Sequence, residues 1–499
     1  MTTQDTSSKT PIIVWFRQDL RLVDQPALHQ AARTGRPVIP VYIWAPHEEG
    51  AWAPGAASRW WLHHSLQALG ASLHAENSSL IIRQGDSLAV LQDLIEETGA
   101  SSVFWNRRYE PAIIARDMEI KATLGEAEIE AKSFNSALLY EPGTILNKAG
   151  TPFKVYTPFY KTILRGSPPA EPLPAPKKIP PPKTVPQSLE LDALELLPTV
   201  DWAAGFDEAW TPGEAGADAM LEFFMSGEMI NYVPGRDFPA KRGTSRMSPH
   251  LHFGEISPRT VWYRVKEHIS VDSRPGIIEQ GEQYLRQLVW REFAYQLMFH
   301  FPHTPEQPLR DQFLHFPWRK DPKQLKAWQR GMTGYPIVDA GMRELWHTGW
   351  MHNRVRMIVG SFLVKHQLIT WEEGASWFWD TLVDADLANN TLGWQWIGGC
   401  GADAAPYFRI FNPMTQGEKF DGAGDYVRKW IPELTTLPIP FLFSPWEAPT
   451  ETLRAAGIVL GSTYPLPVVD HKAGRERALN ALSESKELAL QAQGDSSAG

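Results

Sequence analysis

Residues 384–413 read DADLANNTLGWQWIGGCGADAAPYFRIFNP, and the rest of the chain is best read outward from them. They combine Asp384, Asp386 and Asp403 with the amides Asn389 and Asn390, the indoles Trp394 and Trp396, and glycines at 393, 398, 399 and 401. A buried polar group costs free energy unless it is hydrogen-bonded, so a segment this dense in acids, amides and indoles is poorly suited to mere packing. Composition alone leaves two readings open: a buried polar turn between helices, or a cradle for a planar ligand.

Upstream of this stretch the chain turns helical from about residue 215. Apolar residues recur at helical spacing in ADAMLEFFM (217–225), EQYLRQLVWREFAYQLMFHF (282–301) and MHNRVRMIVGSFLVKH (351–366). In the last of these Val355, Ile358, Val359, Phe362 and Leu363 form one stripe, with Asn353 and Arg356 on its border. The first 135 residues differ. PIIVWF (11–16), PVIPVYIW (37–44), LIIR (80–83), SVFW (102–105) and EIEAKSF (128–134) read as buried strands with amphipathic stretches between several of them. That alternation predicts a five-stranded, doubly wound parallel sheet. No G-x-G-x-x-G follows the first strand, so no dinucleotide site is expected there. Asn106, Arg108 and Glu110 fall where the fourth strand ends, the edge at which open α/β sheets bind ligands.

Between the two regions, residues 166–188 hold nine prolines, which exclude helix and central strand and predict a semi-rigid spacer. The expected organisation is therefore an α/β domain over 1–135, a linker over 136–214, an all-α domain over 215–480 and a polar tail over 481–499. At 499 residues two domains are the default.

The single cysteine, Cys400, excludes an internal disulfide and a cysteine-based zinc site. The start MTTQDTSSKT lacks the basic and apolar regions of a signal peptide, and no 18-residue apolar run follows, so a cytoplasmic location is expected. The net charge of −9 does not favour nucleic acid, but affinity for phosphates depends on a local patch. Such a patch is present in NYVPGRDFPAKRGTSRMSPHLHFGEISPR (231–259), where Arg236, Lys241, Arg242 and Arg246 accompany the hydroxyls Thr244, Ser245 and Ser248. Hydroxyls and backbone N–H groups near a helix start suit a phosphate.

The segment 384–413 resembles the flavin-cradling signature of the photolyase/cryptochrome family, and WFRQDLRLVDQPAL (15–28) resembles the N-terminal signature of that family. The likeness runs over about residues 11–475 and implies an all-α FAD-binding domain. By resemblance, Tyr232, Thr244, Ser245, Arg246, Met247, Ser248, Arg291, Arg356, Asp384, Asp386 and Asn390 bind FAD, with Asn390 at flavin N5. RQLVWREF (286–293) resembles the helix spanning flavin and substrate, which assigns Gln287, Trp290, Asn353 and Trp396 to the substrate side. Trp394, Trp371 and Trp318 match a three-indole electron-transfer chain, and Arg236, Arg354 and Gln416 match DNA contacts.

The resemblance implies light-driven splitting of cyclobutane pyrimidine dimers in UV-damaged DNA by a monomeric protein, with the cofactor supplying the difficult chemistry. A damaged, poorly stacked dimer is cheaper to extrude than a normal pair. Gln287 departs from the first class of cyclobutane-dimer enzymes, which carry Glu there. Glutamine is shared with (6-4) photolyases, but those have a second histidine where this chain has Asn353, which favours cyclobutane dimers. SRWWLHHSL, VWREF and ADLANN resemble the third class of bacterial photolyases, which implies a methenyltetrahydrofolate antenna, with Asn106 and Glu110 as its candidate contacts. A cryptochrome-like blue-light receptor is the competing reading. The Trp290/Asn353/Trp396 set and the lack of an extended C-terminal tail favour repair. A nicotinamide-linked flavoprotein is disfavoured for want of a nicotinamide site.

Overall fold

The computed structural model describes residues 10–404 and 408–496, so Ala405, Pro406 and Tyr407 of the central stretch lie outside the described residues. The expected sheet is present. Strands β1 (Ile12–Phe16), β2 (Val38–Trp44), β3 (Ile81–Gln84), β4 (Ser102–Asn106) and β5 (Glu130–Phe134) pair in parallel in the order β3-β2-β1-β4-β5. Ile13 sits opposite Ile39 on one side and Val103 on the other. β1, β2 and β4 are buried along their whole length, which is why they read as continuous apolar runs. Helices Pro26–Arg33, Ala56–Ala75, Ser87–Thr98 and Pro111–Glu126 connect the strands. Trp15, Val41, Leu91, Leu94, Val103, Trp105 and Leu124 belong to one buried cluster that holds the helices on the sheet. Local signals set the ends: the Asp86 carboxylate caps helix Ser87–Thr98 at Ala89 N, and Gly99 closes it with φ 66°.

The domain boundaries depart from the expectation. One compact unit comprises the chain up to Ile230, Ser245–Pro302 and Val383–Asp386; the other comprises Asn231–Thr244, His303–Leu382 and Leu387 onward. Residues 136–214 are no free linker. Helix Tyr156–Arg165 lies within them, and the proline-rich segment is tied down by its carbonyls. Asp24 N donates to Leu173 O and Val38 N to Pro180 O; just past the segment the direction reverses, with Leu189 N donating to Ile82 O. Proline cannot donate, but its carbonyl accepts, so this segment satisfies N–H groups of the sheet unit.

Helices Pro258–Val271 and Ile277–His300 belong to the same unit as the sheet because buried acids join them to it. Glu255 accepts from Trp61 Nε1 at 3.0 Å, Gly213 N at 2.7 Å and His250 Nδ1 at 2.5 Å. Arg259 pairs with Asp24 at 2.9 Å, and Glu292 accepts from Leu139 N and Tyr140 N at 3.0 and 2.8 Å.

The second unit is helical. Helix Pro336–Thr348 packs against Asn353–Ser361, and Trp371–Thr381 against Leu387–Gly398. Of the tail expected over 481–499, residues 481–496 belong to helix His471–Ser496, and 497–499 lie outside the described residues. Among the described residues no helix is long and apolar enough to cross a membrane.

Candidate functional site

In the first unit three of the site residues lie on helix Ile277–His300. Gln287, Trp290 and Arg291 are spaced i, i+3 and i+4 and share a face. The Trp290 indole stacks on Tyr156, with ring centroids 3.5 Å apart and planes 5° from parallel. Arg291 donates to Ala137 O at 2.6 Å and lies over the Tyr295 ring. The Tyr295 hydroxyl donates to Asp386 Oδ2 at 2.5 Å, and His252 Nδ1 lies 3.7 Å from the same oxygen. Burial would raise the pKa of Asp386, but His252, the Arg291 charge and the Tyr295 hydroxyl hold it well below the usual carboxylate range. Asp386 is thus an ionised, buried acceptor. Asp384, two residues earlier, is also buried. Glu292 behaves oppositely, its pKa pushed up to about 7 by burial despite its two backbone donors.

Gln287 donates through Nε2 to Gln283 O at 3.2 Å, and its Oε1 makes no hydrogen bond among the described residues. Ser245 Oγ accepts from the Tyr284 hydroxyl at 3.0 Å and from Met247 N at 3.4 Å. Arg246 adopts a left-handed backbone, φ 54°, and its guanidinium lies over Trp210. Met247 is buried and Ser248 opens the short helix Ser248–His252.

The second unit holds the remaining residues. Tyr232 is buried, with Arg236 over its ring. Gly235 and Gly243 touch so closely that a Cβ on Gly243 would lie 2.5 Å from Gly235 O. This contact pinches the neck of the loop that carries Arg236, Lys241 and Arg242, with Lys241 and Arg242 exposed. Thr244, at the end of that loop, is half-buried, and its hydroxyl makes no hydrogen bond among the described residues. Asn353 is exposed at the first turn of its helix, and His352 caps that turn by accepting from Arg354 N. Arg354 pairs with Asp237 at 2.8 Å, so its charge is partly neutralised within the protein. Arg356 donates to Met351 O at 2.7 Å. Gln416, on helix Pro413–Phe420, is half-buried.

Asn390 Nδ2 donates to Ala375 O at 3.1 Å. Trp394 is buried between Phe378 and Trp328 and rests on Gly374, where a Cβ would come within 2.1 Å of the indole. Trp371 starts the helix that carries Gly374. Trp318 packs against Phe316, and the next residue, Arg319, donates through its N to Leu368 O at 2.8 Å. Trp396 is half-buried, and its indole N–H makes no hydrogen bond among the described residues.

The candidate antenna contacts are engaged elsewhere. Asn106 Nδ2 donates to Asp19 Oδ2 at 2.5 Å and its Oδ1 accepts from Ala27 N, while Glu110 pairs with Arg108 at 2.9 Å. Sequence reasoning missed Tyr156, His252, Glu292 and Tyr295. Only Tyr295 had a usable signal, its i+4 spacing from Arg291.

Taken unit by unit, the donor and acceptor types suit FAD: in the first, the Ser245 and Ser248 hydroxyls and the Arg246 cation suit a diphosphate and the ionised Asp386 suits ribityl hydroxyls, and in the second, Asn390 offers an amide of the kind a flavin ring edge accepts. Residues 284–484 match the FAD binding domain of DNA photolyase, and residues 12–177 match the DNA photolyase domain. The chain is 52% identical to a deoxyribodipyrimidine photo-lyase of Agrobacterium fabrum (strain C58 / ATCC 33970), over 95% of this chain and 98% of that protein. It is 42% identical to cryptochrome-1 of Arabidopsis thaliana, over 95% of this chain and 70% of that one. A crystal structure of a bacterial class III photolyase from Agrobacterium tumefaciens superposes with a TM-score of 0.93 at 50% identity, covering 98% of this chain and all (100%) of the other. With fold, family models and relatives in agreement, the chain belongs to the photolyase/cryptochrome family.

Proposed function

We propose that the chain is a deoxyribodipyrimidine photolyase that splits cyclobutane pyrimidine dimers in UV-damaged DNA under light. The observation that carries this reading is Trp290, a substrate-side indole held flat against Tyr156 on a helix that also presents the uncommitted Oε1 of Gln287. A rigid aromatic wall next to a hydrogen-bonding edge suits a flipped-out pyrimidine pair.

Reduced FAD, when bound, supplies a light-excited one-electron reductant. With that chemistry supplied by the cofactor, the chain's own residues would bind and orient the dimer and exclude water. Tyr232, Thr244, Ser245, Arg246, Met247 and Ser248 would hold the diphosphate end, and Arg291, Arg356, Asp384 and Asp386 the flavin and ribityl end. Asn390, with an N–H committed to Ala375 O, keeps its Oδ1 as an acceptor, which suits the N–H of a reduced flavin ring. Trp394, Trp371 and Trp318 would carry electrons in from solvent. Asn353 and Trp396 would complete the lesion pocket, with Arg236, Arg354 and Gln416 on the DNA strand.

The second chromophore we infer is methenyltetrahydrofolate, on the resemblance of residues 58–66 to the third class. Asn106 and Glu110 would reach it only by giving up Asp19 and Arg108.

Illumination of the reduced protein with an oligonucleotide carrying one cyclobutane thymine dimer tests the reading, with a dark control. Loss of the lesion in light alone supports it. A photoreduced, FAD-loaded protein that leaves the dimer intact favours the blue-light receptor, which the likeness to cryptochrome-1 makes the second reading. Repair of a (6-4) product in its place would overturn the role given to Asn353.

A further inference from the structure

Lys365 lies in the π-helical turn Phe362–His366 that continues helix Asn353–Ser361. Such turns occur preferentially at functional sites. The side chain is 4% exposed, and among the described residues it forms no ion pair. Its ammonium donates to Arg409 O at 2.6 Å and sits 4.4 Å from the Phe408 ring centroid. Four residues earlier on the same helical face, Ser361 Oγ accepts from Phe411 N at 3.3 Å. One face therefore pins Phe408–Phe411 at two points. Lys365, Ser361, Arg409 and Phe411 also wall a small cavity together with Trp396, of about 10 Å³, which is space for roughly one water.

A buried ammonium without a counter-ion is a costly choice for packing, and an apolar side chain of similar length would fill the space without that cost. Burial pushes the Lys365 pKa down to about 7; the Cys400 thiol opposes that shift and the Arg409 guanidinium adds to it. His366, the next residue, is held neutral by burial, its pKa pushed down to about 3. Fold stability does not account for a lysine here. A directional donor onto a backbone carbonyl does.

We propose that Lys365 is a positioning residue for lesion binding: seated on the Arg409 carbonyl, it fixes segment Phe408–Phe411 along the cavity wall that it shares with Trp396. Arg409, whose side chain is exposed, is thereby held at a set place relative to the indole. The inference rests on the substrate-side reading of Trp396.

The test uses the FAD-loaded full chain, wild type, K365M and K365R. Dark affinity for an oligonucleotide with one cyclobutane dimer, repair quantum yield at saturating DNA and melting temperature are measured from pH 6 to 9. Hydrogen exchange of the 408–411 peptide is followed without DNA. The expected result for K365M is a dark affinity lowered about tenfold or more, a yield within about twofold of wild type and no fall in melting temperature. K365R recovers most of the affinity. Wild-type affinity weakens as pH rises through neutrality, whereas K365M and K365R are flat. Unchanged affinity in K365M overturns the proposal, as does a joint fall of affinity, yield and melting temperature, which marks a merely structural role. A wild-type protein that neither binds nor repairs the dimer defeats the repair reading instead. The exchange data then decide separately: faster exchange of 408–411 in K365M sustains the positioning role, and unchanged exchange removes it.

Discussion

Tyr156 and Trp290 are stacked face to face at 3.5 Å, with the Tyr156 hydroxyl donating to Arg286 O at 2.9 Å in the helix turn preceding the indole. Tyr156 thus fixes both the plane of Trp290 and its distance from the helix. Y156F keeps the stack and loses the hydrogen bond, so stability should fall by about 1 kcal/mol with lesion affinity nearly unchanged. Y156A removes a buried ring as well and should cost about 3–5 kcal/mol. Its lesion affinity should fall further than Y156F's, because Trp290 then samples other rotamers. Urea denaturation and dark binding of a dimer-bearing oligonucleotide give both numbers. Equal affinities for the two variants would refute the role given to the stack.

Glu292 and Asp386 make opposite contributions to pH-dependent stability. The folded-state pKa of Glu292 is raised to about 7 from an ordinary 4.5. Its contribution is therefore fully present below about pH 4.5 and is lost as pH rises through 7. Asp386 is held below its ordinary value, so its contribution is present above about pH 4 and lost in stronger acid. E292Q should flatten the decline in urea midpoint between pH 5 and 7 that Glu292 imposes. It should leave the acid-side fall untouched. An E292Q profile parallel to wild type across pH 5–7 would show that Glu292 does not titrate there.

Gly374 is a requirement of Trp394. An alanine Cβ would lie 2.1 Å from the indole, and the helical backbone offers no room to retreat, so G374A should destabilise by at least about 1–3 kcal/mol. It should also slow flavin photoreduction by displacing the indole. W394L frees the space, so the double variant G374A/W394L should be more stable than the two single effects sum to, a coupling typical of residues in contact. Photoreduction should stay slow in both, followed as flavin absorbance under blue light. Additive stabilities would remove the steric explanation.

Much of this was legible in the sequence because the signals were local. β1, β2 and the middle of β4 are apolar since they are buried on both sides, and Gln287, Trp290 and Arg291 share a face by helical spacing alone. The illegible parts involve partners distant in sequence. The proline-rich segment reads as a spacer because proline withholds donors, yet its neighbours' N–H groups needed only its carbonyls. Nothing local to Asp386 announces Tyr295 or His252, which reach it from 91 and more than a hundred residues away. Asn106 and Glu110 were found at the expected strand end, but Asp19 and Arg108 compete for them, and spacing cannot weigh one partner against another.

The loop closed by Gly235 and Gly243 makes a distinction among the basic residues that charge counting does not. Lys241 and Arg242 are exposed, whereas Arg354 is held by Asp237 at 2.8 Å and by the Phe420 ring. A phosphate contact made by an exposed cation releases counter-ions, and each lost contact lowers the slope of log affinity against log salt by about 0.7–0.9. K241A/R242A should thus lower the slope by up to about 1.4–1.8 and weaken damaged and undamaged DNA alike. R354A should change the slope less than either, because Asp237 already neutralises part of that charge. D237N releases Arg354, and binding should tighten at low salt. If R354A alone lowers the slope as much as K241A/R242A, Arg354 leaves Asp237 for the DNA, and the ion pair is a resting contact that the phosphate displaces.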